Sequence, residues 1–186
     1  GLGLFDSIVG EDRTSGEDPE SMSLVVLAPA ADLELARSTL FGRCEVRAIE
    51  AENSILVGRA DASHRQTGCI RFCYAPLSSR VPRRYRCAPD LSLDSEKVRL
   101  GRELTPVERL QVANGTVPRF TASRFGASAF GQLSLACPAA VRVGAEGGAE
   151  MGAGFGAGEP FRRANLADAM QEYLPFGLEA ATLFLS

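Results

Sequence analysis

Three short segments of this chain share one form: Phe5-Asp6-Ser7-Ile8-Val9-Gly10, Arg37-Ser38-Thr39-Leu40-Phe41-Gly42 and Asn53-Ser54-Ile55-Leu56-Val57-Gly58. The second and third are 16 residues apart, and the first lies roughly two such steps upstream, with the polar stretch Glu11 to Ser21 as an insertion. Alternating patterns precede the later copies, Leu33-Glu34-Leu35 and Val46-Arg47-Ala48-Ile49. A period of this size excludes helical repeats, whose shortest units run to about 33 residues. Sixteen residues hold two or three short strands separated by turns. One such unit cannot bury its own apolar side, so the units must stack. The expected result is a parallel β-helix with inward Leu, Ile and Val, and with Ser or Asn at the bends. Antiparallel hairpins of accidental similarity are the alternative. The coil reading makes Ile8, Leu40 and Ile55 one vertical stack, with parallel strands about 4.8 Å apart.

The pattern continues through Thr67 to Tyr74, where alternation puts Ile70, Phe72 and Tyr74 on one face. Pro76, Pro82 and Pro89 then predict an extended loop from Leu77 to Asp90. Thr105-Pro106-Val107-Glu108 reads as a helix start, with Thr as N-cap, Pro at the first position and Glu at N3. That helix should end near Asn114-Gly115. Residues 117–160, rich in Gly and Ala, read as a flexible or tightly turned surface segment. Phe161 to Tyr173 reads as an amphipathic helix through Leu166, Met170 and Tyr173 or Leu174, ended by Pro175 and followed by the apolar Leu183-Phe184-Leu185. The fold expected is all-β: the final rungs of a right-handed parallel β-helix with a proline-rich loop (residues 1–100), then a loop-rich cap with one or two short helices and the Gly-rich segment (101–186).

Charge is uneven along the chain. Residues 1–61 carry a net −7, residues 62–125 a net +7 and residues 126–186 a net −3, and 19 of the 20 bases are Arg. The central belt contains Arg80, Arg83, Arg84, Tyr85 and Arg86. Arg and Tyr together can hold an anionic group, such as a carboxylated glycan, or anchor a protein interface. With a pI near 5.3 and no recognised module, nucleic acid is not an expected partner. No apolar run approaches the roughly 18 residues of a membrane span.

Five cysteines, Cys44, Cys69, Cys73, Cys87 and Cys137, cannot pair completely. Cys69 and Cys73 on one strand face would be about 13 Å apart, too far for a disulfide. Reduced, mostly buried thiols are expected, in a cytoplasm or an assembled particle. The chain opens on Gly-Leu-Gly-Leu in mid-pattern and reads as a piece of something longer.

Few motifs point to chemistry. His64, the sole histidine, sits in a polar turn, and no Gly-x-Ser-x-Gly elbow is present. The spacing of His64, Cys69, Cys73 and Cys87 does not match structural zinc sites. Gly152-Ala153-Gly154-Phe155-Gly156-Ala157 only loosely fits a dinucleotide fingerprint and lacks its βαβ setting. No metal and no cofactor is therefore expected. Carboxylates are the remaining candidates. Glu50 and Glu52 share a strand face, and Glu34 lies one 16-residue step before Glu50. Such an acidic ladder of Glu34, Glu50 and Glu52 is what a polysaccharide-cleaving coil would require, and equally what a solvated outer face looks like.

Two stretches carry a family resemblance: Thr67-Gly68-Cys69-Ile70-Arg71-Phe72-Cys73-Tyr74-Ala75-Pro76 with Val81 to Asp90, and Phe120 to Leu133 with Gly144 to Gly152. Over roughly residues 33–180 the chain resembles the C-terminal region of large, uncharacterised bacterial β-helix proteins, some encoded beside phage-tail-like, contractile-injection components. The resemblance implies a structural or interaction role, with protein partners or the rest of a longer parent chain. It implies no catalytic residue.

Overall fold

The computed structural model describes residues 1–10, 18–127 and 129–157. The predicted helix at 161–173, with Leu166, Met170 and Leu174, and the tail Leu183–Leu185 lie outside the described residues.

The chain winds as a parallel β-solenoid of about four turns. Strands β1 (Leu2–Phe5), β3 (Leu24–Ala36), β5 (Arg43–Glu52), β7 (Ala60–Ala62), β8 (Cys69–Arg71) and β9 (Arg83–Tyr85) form one sheet; β2 (Ile8–Gly10), β4 (Thr39–Phe41) and β6 (Ile55–Leu56) form another. Every ladder between these strands is parallel, which rules out hairpins for the coil. The long strands β3 and β5 each bend across two walls, with a register irregularity between Ala28 and Asp32. The coil therefore has three walls. The first stacks β1, the end of β3, the end of β5, β8 and β9. The second stacks β2, β4 and β6 and continues through bridges at Tyr74 and Ala88. The third stacks Leu24–Ala28, Arg43–Val46, β7 and Arg80.

The register corrects the predicted stack. Val9, Leu40 and Leu56 are the aligned inward column. Ile8 and Ile55 align instead with Thr39, one residue out of phase, on the outer side of the second wall. The interior is filled by Leu33, Leu35, Leu40, Ile49, Leu56 and Ile70. A second apolar cluster, with Phe41, Ile55, Val57 and Tyr74, lies outside that wall and is covered by residues 120–155. Phe41 meets the rings of Phe120 (4.7 Å) and Phe130 (5.1 Å). The Gly- and Ala-rich segment is thus not a surface loop. Its Leu133, Cys137, Val141 and Met151 are buried against the flank of the coil, and its small residues permit that approach. A Cβ at Gly152, which has φ 84°, would come within 2.4 Å of Thr39 Oγ1.

The proline-rich stretch also differs from expectation. It contains β9, paired with β8, and a bridge from Asp61 to Arg80, so it forms a further rung rather than a loop. Helix α1 (Asp90–Leu100) follows and was not anticipated; its apolar residues show little periodicity, and only Leu93 is buried. Helix α2 (Pro106–Gly115) starts as predicted, with Thr105 and Glu108 in a reciprocal capping box. A short helix α3 (Ala139–Arg142) lies in the flank segment. No helix among the described residues is long and apolar enough to cross a membrane.

Candidate functional site

The device that sets the rungs is a corner between the first and second walls. Asp6, Arg37, Asn53, Phe72 and Arg86 all adopt left-handed backbone, with φ between 47° and 53°. One such residue recurs in every turn, and only Asp6 and Asn53 are of types that favour the conformation. Contacts between neighbouring corners accompany the others. Asp6 and Arg37 form a two-point ion pair at 2.6 and 2.8 Å. Phe72 packs edge-on to Tyr85 and lies 6.0 Å from the Arg86 guanidinium. Phe72 therefore belongs to a corner and does not share a face with Ile70 and Tyr74.

A small polar residue follows each corner: Ser7, Ser38, Ser54, Cys73 and Cys87. Its hydroxyl or thiol donates to the carbonyl two residues back, as Ser38 Oγ does to Ala36 (2.9 Å), Ser54 Oγ to Glu52 (2.7 Å) and Cys73 Sγ to Arg71 (3.1 Å). The same atom accepts the backbone N–H of the preceding rung, in the pairs Ser7 N to Ser38 Oγ (3.2 Å), Ser38 N to Ser54 Oγ (3.1 Å) and Ser54 N to Cys73 Sγ (3.4 Å). Cys73 consequently lies inside the coil, not on a strand beside Cys69. The sequence carried this signal as a Ser or Cys one residue after each bend, hidden because the bend residues themselves are so varied.

All five cysteines are free. Burial pushes the Cys44 thiol up to about 12 and raises those of Cys73, Cys87 and Cys137. Cys69 alone is half-exposed. We expect one thiol per chain to react with a disulfide reagent at pH 8 in the native state, and five after denaturation; removal of the native reaction by Cys69→Ser checks the assignment. Cys73→Ser should leave stability within about 1 kcal/mol, because serine already serves the same role at Ser38 and Ser54. Cys73→Leu should be strongly destabilising, since the corner has no room for it. Thermal melts separate the two outcomes.

The outer side of the first wall holds the predicted carboxylates. Glu34 and Glu50 are register partners on adjacent rungs, with Cys69 and Arg83 continuing the column. The neighbouring column runs Phe5, Ala36, Glu52, Arg71, Tyr85. Two shallow depressions border the ladder. One, of about 310 Å³, is lined by Asp32, Glu34, Glu50, Thr67 and Gly68 among others. The other, of about 150 Å³, includes Phe5, Glu34, Glu50, Glu52, Cys69 and Arg71. The carboxylates differ in partners. Glu52 is tied to Arg71 of the next rung, and Asp32 to Arg47. Glu34 and Glu50 have no cationic partner among the described residues. Their register places them one rung apart on the same outer face, as a pair of catalytic carboxylates in a glycosidase would have to be. Both side chains are open to water, however, and neither occupies the apolar pocket that would assign one of them the acid's role. Among the described residues no three His, Cys, Asp or Glu side chains converge as a metal site.

The arginine belt does not form one patch. Arg84 takes the inward column of Leu35, Ala51 and Ile70. Its guanidinium donates to the carbonyls of Ala75 (3.1 Å), Pro76 (2.8 Å) and Ser79 (3.4 Å) and pairs with Asp90 at the start of α1 (3.1 Å). It closes the last rung with a charge held by four hydrogen bonds from its two terminal nitrogens. Arg83 and Tyr85 point outward on the first wall, Arg86 stands at the corner, and Arg80 is on the third wall beside Asp61.

Asn53 also went unrecognised as an anchor. Its side-chain oxygen accepts the N–H of Glu146 (2.9 Å), and its carbonyl accepts that of Gly152 (2.7 Å). Thr39 Oγ1 accepts the N–H of Ala153 (3.1 Å). These contacts fasten the flank segment to the coil.

The two ends of the coil are unlike. Arg84 occupies the last rung. At the first, β1, β2 and Leu24–Ala28 have no strand on their far side among the described residues. Phe5 is 51% exposed and Leu27 64%. Comparison with known proteins finds no family model that matches the chain, and no curated protein or solved structure similar to it.

Proposed function

We propose that this chain is a structural and interaction module, a section of a longer, right-handed β-solenoid protein in which residues 101–186 form the cap. What supports this most directly is the parallel coil itself, a stack of rungs held to one another and closed by Arg84 at its last. The outer charges fit the same role. Asp6–Arg37, Asp32–Arg47 and Glu52–Arg71 link one rung to the next and act on the coil itself. The partners are other proteins or the rest of a parent chain, in a bacterial surface-binding or phage-tail-like assembly. Exposed Arg83 and Tyr85 offer a secondary contact for an anionic glycan.

The stacking of Glu34 on Glu50 favours one second reading, a glycoside hydrolase or polysaccharide lyase acting at that ladder. A panel of neutral and acidic polysaccharides, assayed for new reducing ends and for unsaturated products, tests both. The structural reading expects no turnover, and no change in assembly for Glu34→Gln or Glu50→Gln. Cleavage abolished by either substitution would establish the enzyme instead.

A further inference from the structure

We propose that Cys73 and Cys87 form a redox pair, which joins as a disulfide in the presence of a small disulfide oxidant and staples the last two corners of the coil. The two residues are register partners. Each follows a left-handed corner, Phe72 or Arg86, and each precedes one half of the parallel bridge between Tyr74 and Ala88. Backbone bonds on both sides hold that register: Phe72 N–H donates to Tyr85 O (3.0 Å), and Ala88 N–H to Cys73 O (2.9 Å). The side chains are oriented alike. Cys73 Sγ donates to Arg71 O (3.1 Å) and Cys87 Sγ to Tyr85 O (3.4 Å), in each case the carbonyl two residues back. Cys73 Sγ accepts the N–H of Ser54, and Cys87 Sγ accepts that of Cys73. Cys87 Sγ also reaches Ile70 O (3.5 Å), on the rung that carries Cys73. The two sulfurs are therefore adjacent members of one column.

Hydroxyls meet the same hydrogen-bonding needs at Ser38 and Ser54. What sulfur adds at the last two places is the capacity to form a covalent bond. Adjacent rungs stand about 4.8 Å apart, within the Cα separation of about 4.4–6.8 Å that a disulfide spans. Closing the bond turns each sulfur from its carbonyl toward its neighbour. Neither carbonyl is orphaned by that turn, because Arg71 O keeps the N–H of Asn53 (3.1 Å) and Tyr85 O keeps that of Phe72. The other thiols are placed elsewhere: Cys44 on the third wall, Cys69 on the outer side of the first, and Cys137 under the flank segment. The exchange balances with a disulfide of the glutathione type. The Cys87 thiolate attacks it and releases one thiol. The Cys73 thiolate then attacks the Cys87 sulfur and releases the second, so two electrons and two protons pass from the cysteines to the oxidant. Both residues are 1% exposed or less, so the exchange occurs during folding or through opening of the last rung. A reducing compartment keeps the pair as thiols, and an oxidising one forms the staple.

The test uses the full-length chain carrying Cys69→Ser, which removes the half-exposed thiol. One sample is unfolded and refolded with oxidised and reduced glutathione; a second is held native for hours in the same buffer, which requires no refolding. Trypsin cuts after Arg71, Arg80, Arg86 and Lys97. Mass spectrometry should find residues 72–80 joined to residues 87–97, two hydrogens lighter than the separate peptides. Closing the short loop between the two cysteines should raise the melting temperature by about 5–10 °C over the same chain in reductant. Adding Cys73→Ser or Cys87→Ser should leave a folded chain whose melt no longer responds to the oxidant, since serine fills the same column at Ser38 and Ser54. Peptides 72–80 and 87–97 that stay separate by both routes would overturn the proposal, as would either one joined instead to the peptide of Cys44 or Cys137. A joined chain that melts no higher than the reduced one would also overturn it.

Discussion

Leu40→Asp should abolish folding, with no cooperative melt and no soluble monomer at 37 °C. Leu40 is 1% exposed and stands in the inward column between Val9 and Leu56. The surrounding cluster is apolar apart from the thiols of Cys44, Cys73 and Cys87 and offers no cation to a carboxylate. Burying that group unpaired costs several kcal/mol whether it ionises or takes up a proton. The leucine's own burial, about 1.5–3 kcal/mol, is lost as well. The sum is comparable to the whole net stability of a domain, about 5–15 kcal/mol. Ile55→Asp is the matched control. Ile55 is equally buried, but under the flank segment and beside Gly152, on the outer side of the wall. That substitution should release residues 120–157 to proteolysis while the β-sheet circular dichroism of the coil persists. Equal damage from both would mean that coil and flank fold as one cooperative unit.

Arg84→Ala should lower stability by about 2–4 kcal/mol. It removes the donors to Ala75, Pro76 and Ser79 and the partner of Asp90, and it opens the end of the apolar column. Each buried carbonyl left without a donor costs about 1–3 kcal/mol, reduced where water can enter. For a chain of this length the melting temperature should fall by about 5–15 °C. Arg84→Lys should recover little, because one ammonium cannot reproduce the planar fork that meets three carbonyls. Arg83→Ala, one residue earlier but directed outward, should shift the melt by less than about 1 °C. If Arg83 proved the more costly of the two, the inward assignment of Arg84 would be wrong.

The repeat of 16 residues between Arg37 and Asn53 was enough to identify a stacked parallel coil, because no other element that short can bury an apolar side. The capping box at Thr105 was equally legible, since its signal lies wholly within one turn of helix. The ladder of Glu34 over Glu50 followed from the period alone. Other features depended on what lay across the fold. Whether Ile8 faces in or out turns on a one-residue phase, and that phase is set by left-handed corners occupied by Asp, Arg, Asn, Phe and Arg, which share no side-chain type. The corner residues Phe72 and Arg86 hide the later rungs in a stretch whose prolines read as a loop. The small residues of 117–157 look like surface until the outer wall of the coil stands against them. Arg84 belongs by sequence to an exposed basic belt, and only the carbonyls of Ala75, Pro76 and Ser79 turn it inward. The sequence by itself determined that this chain must coil, because periodic burial is a property of order along the chain. Tertiary structure decided which side chains face the axis and what covers the flank, because those depend on hydrogen-bond partners up to 114 residues away.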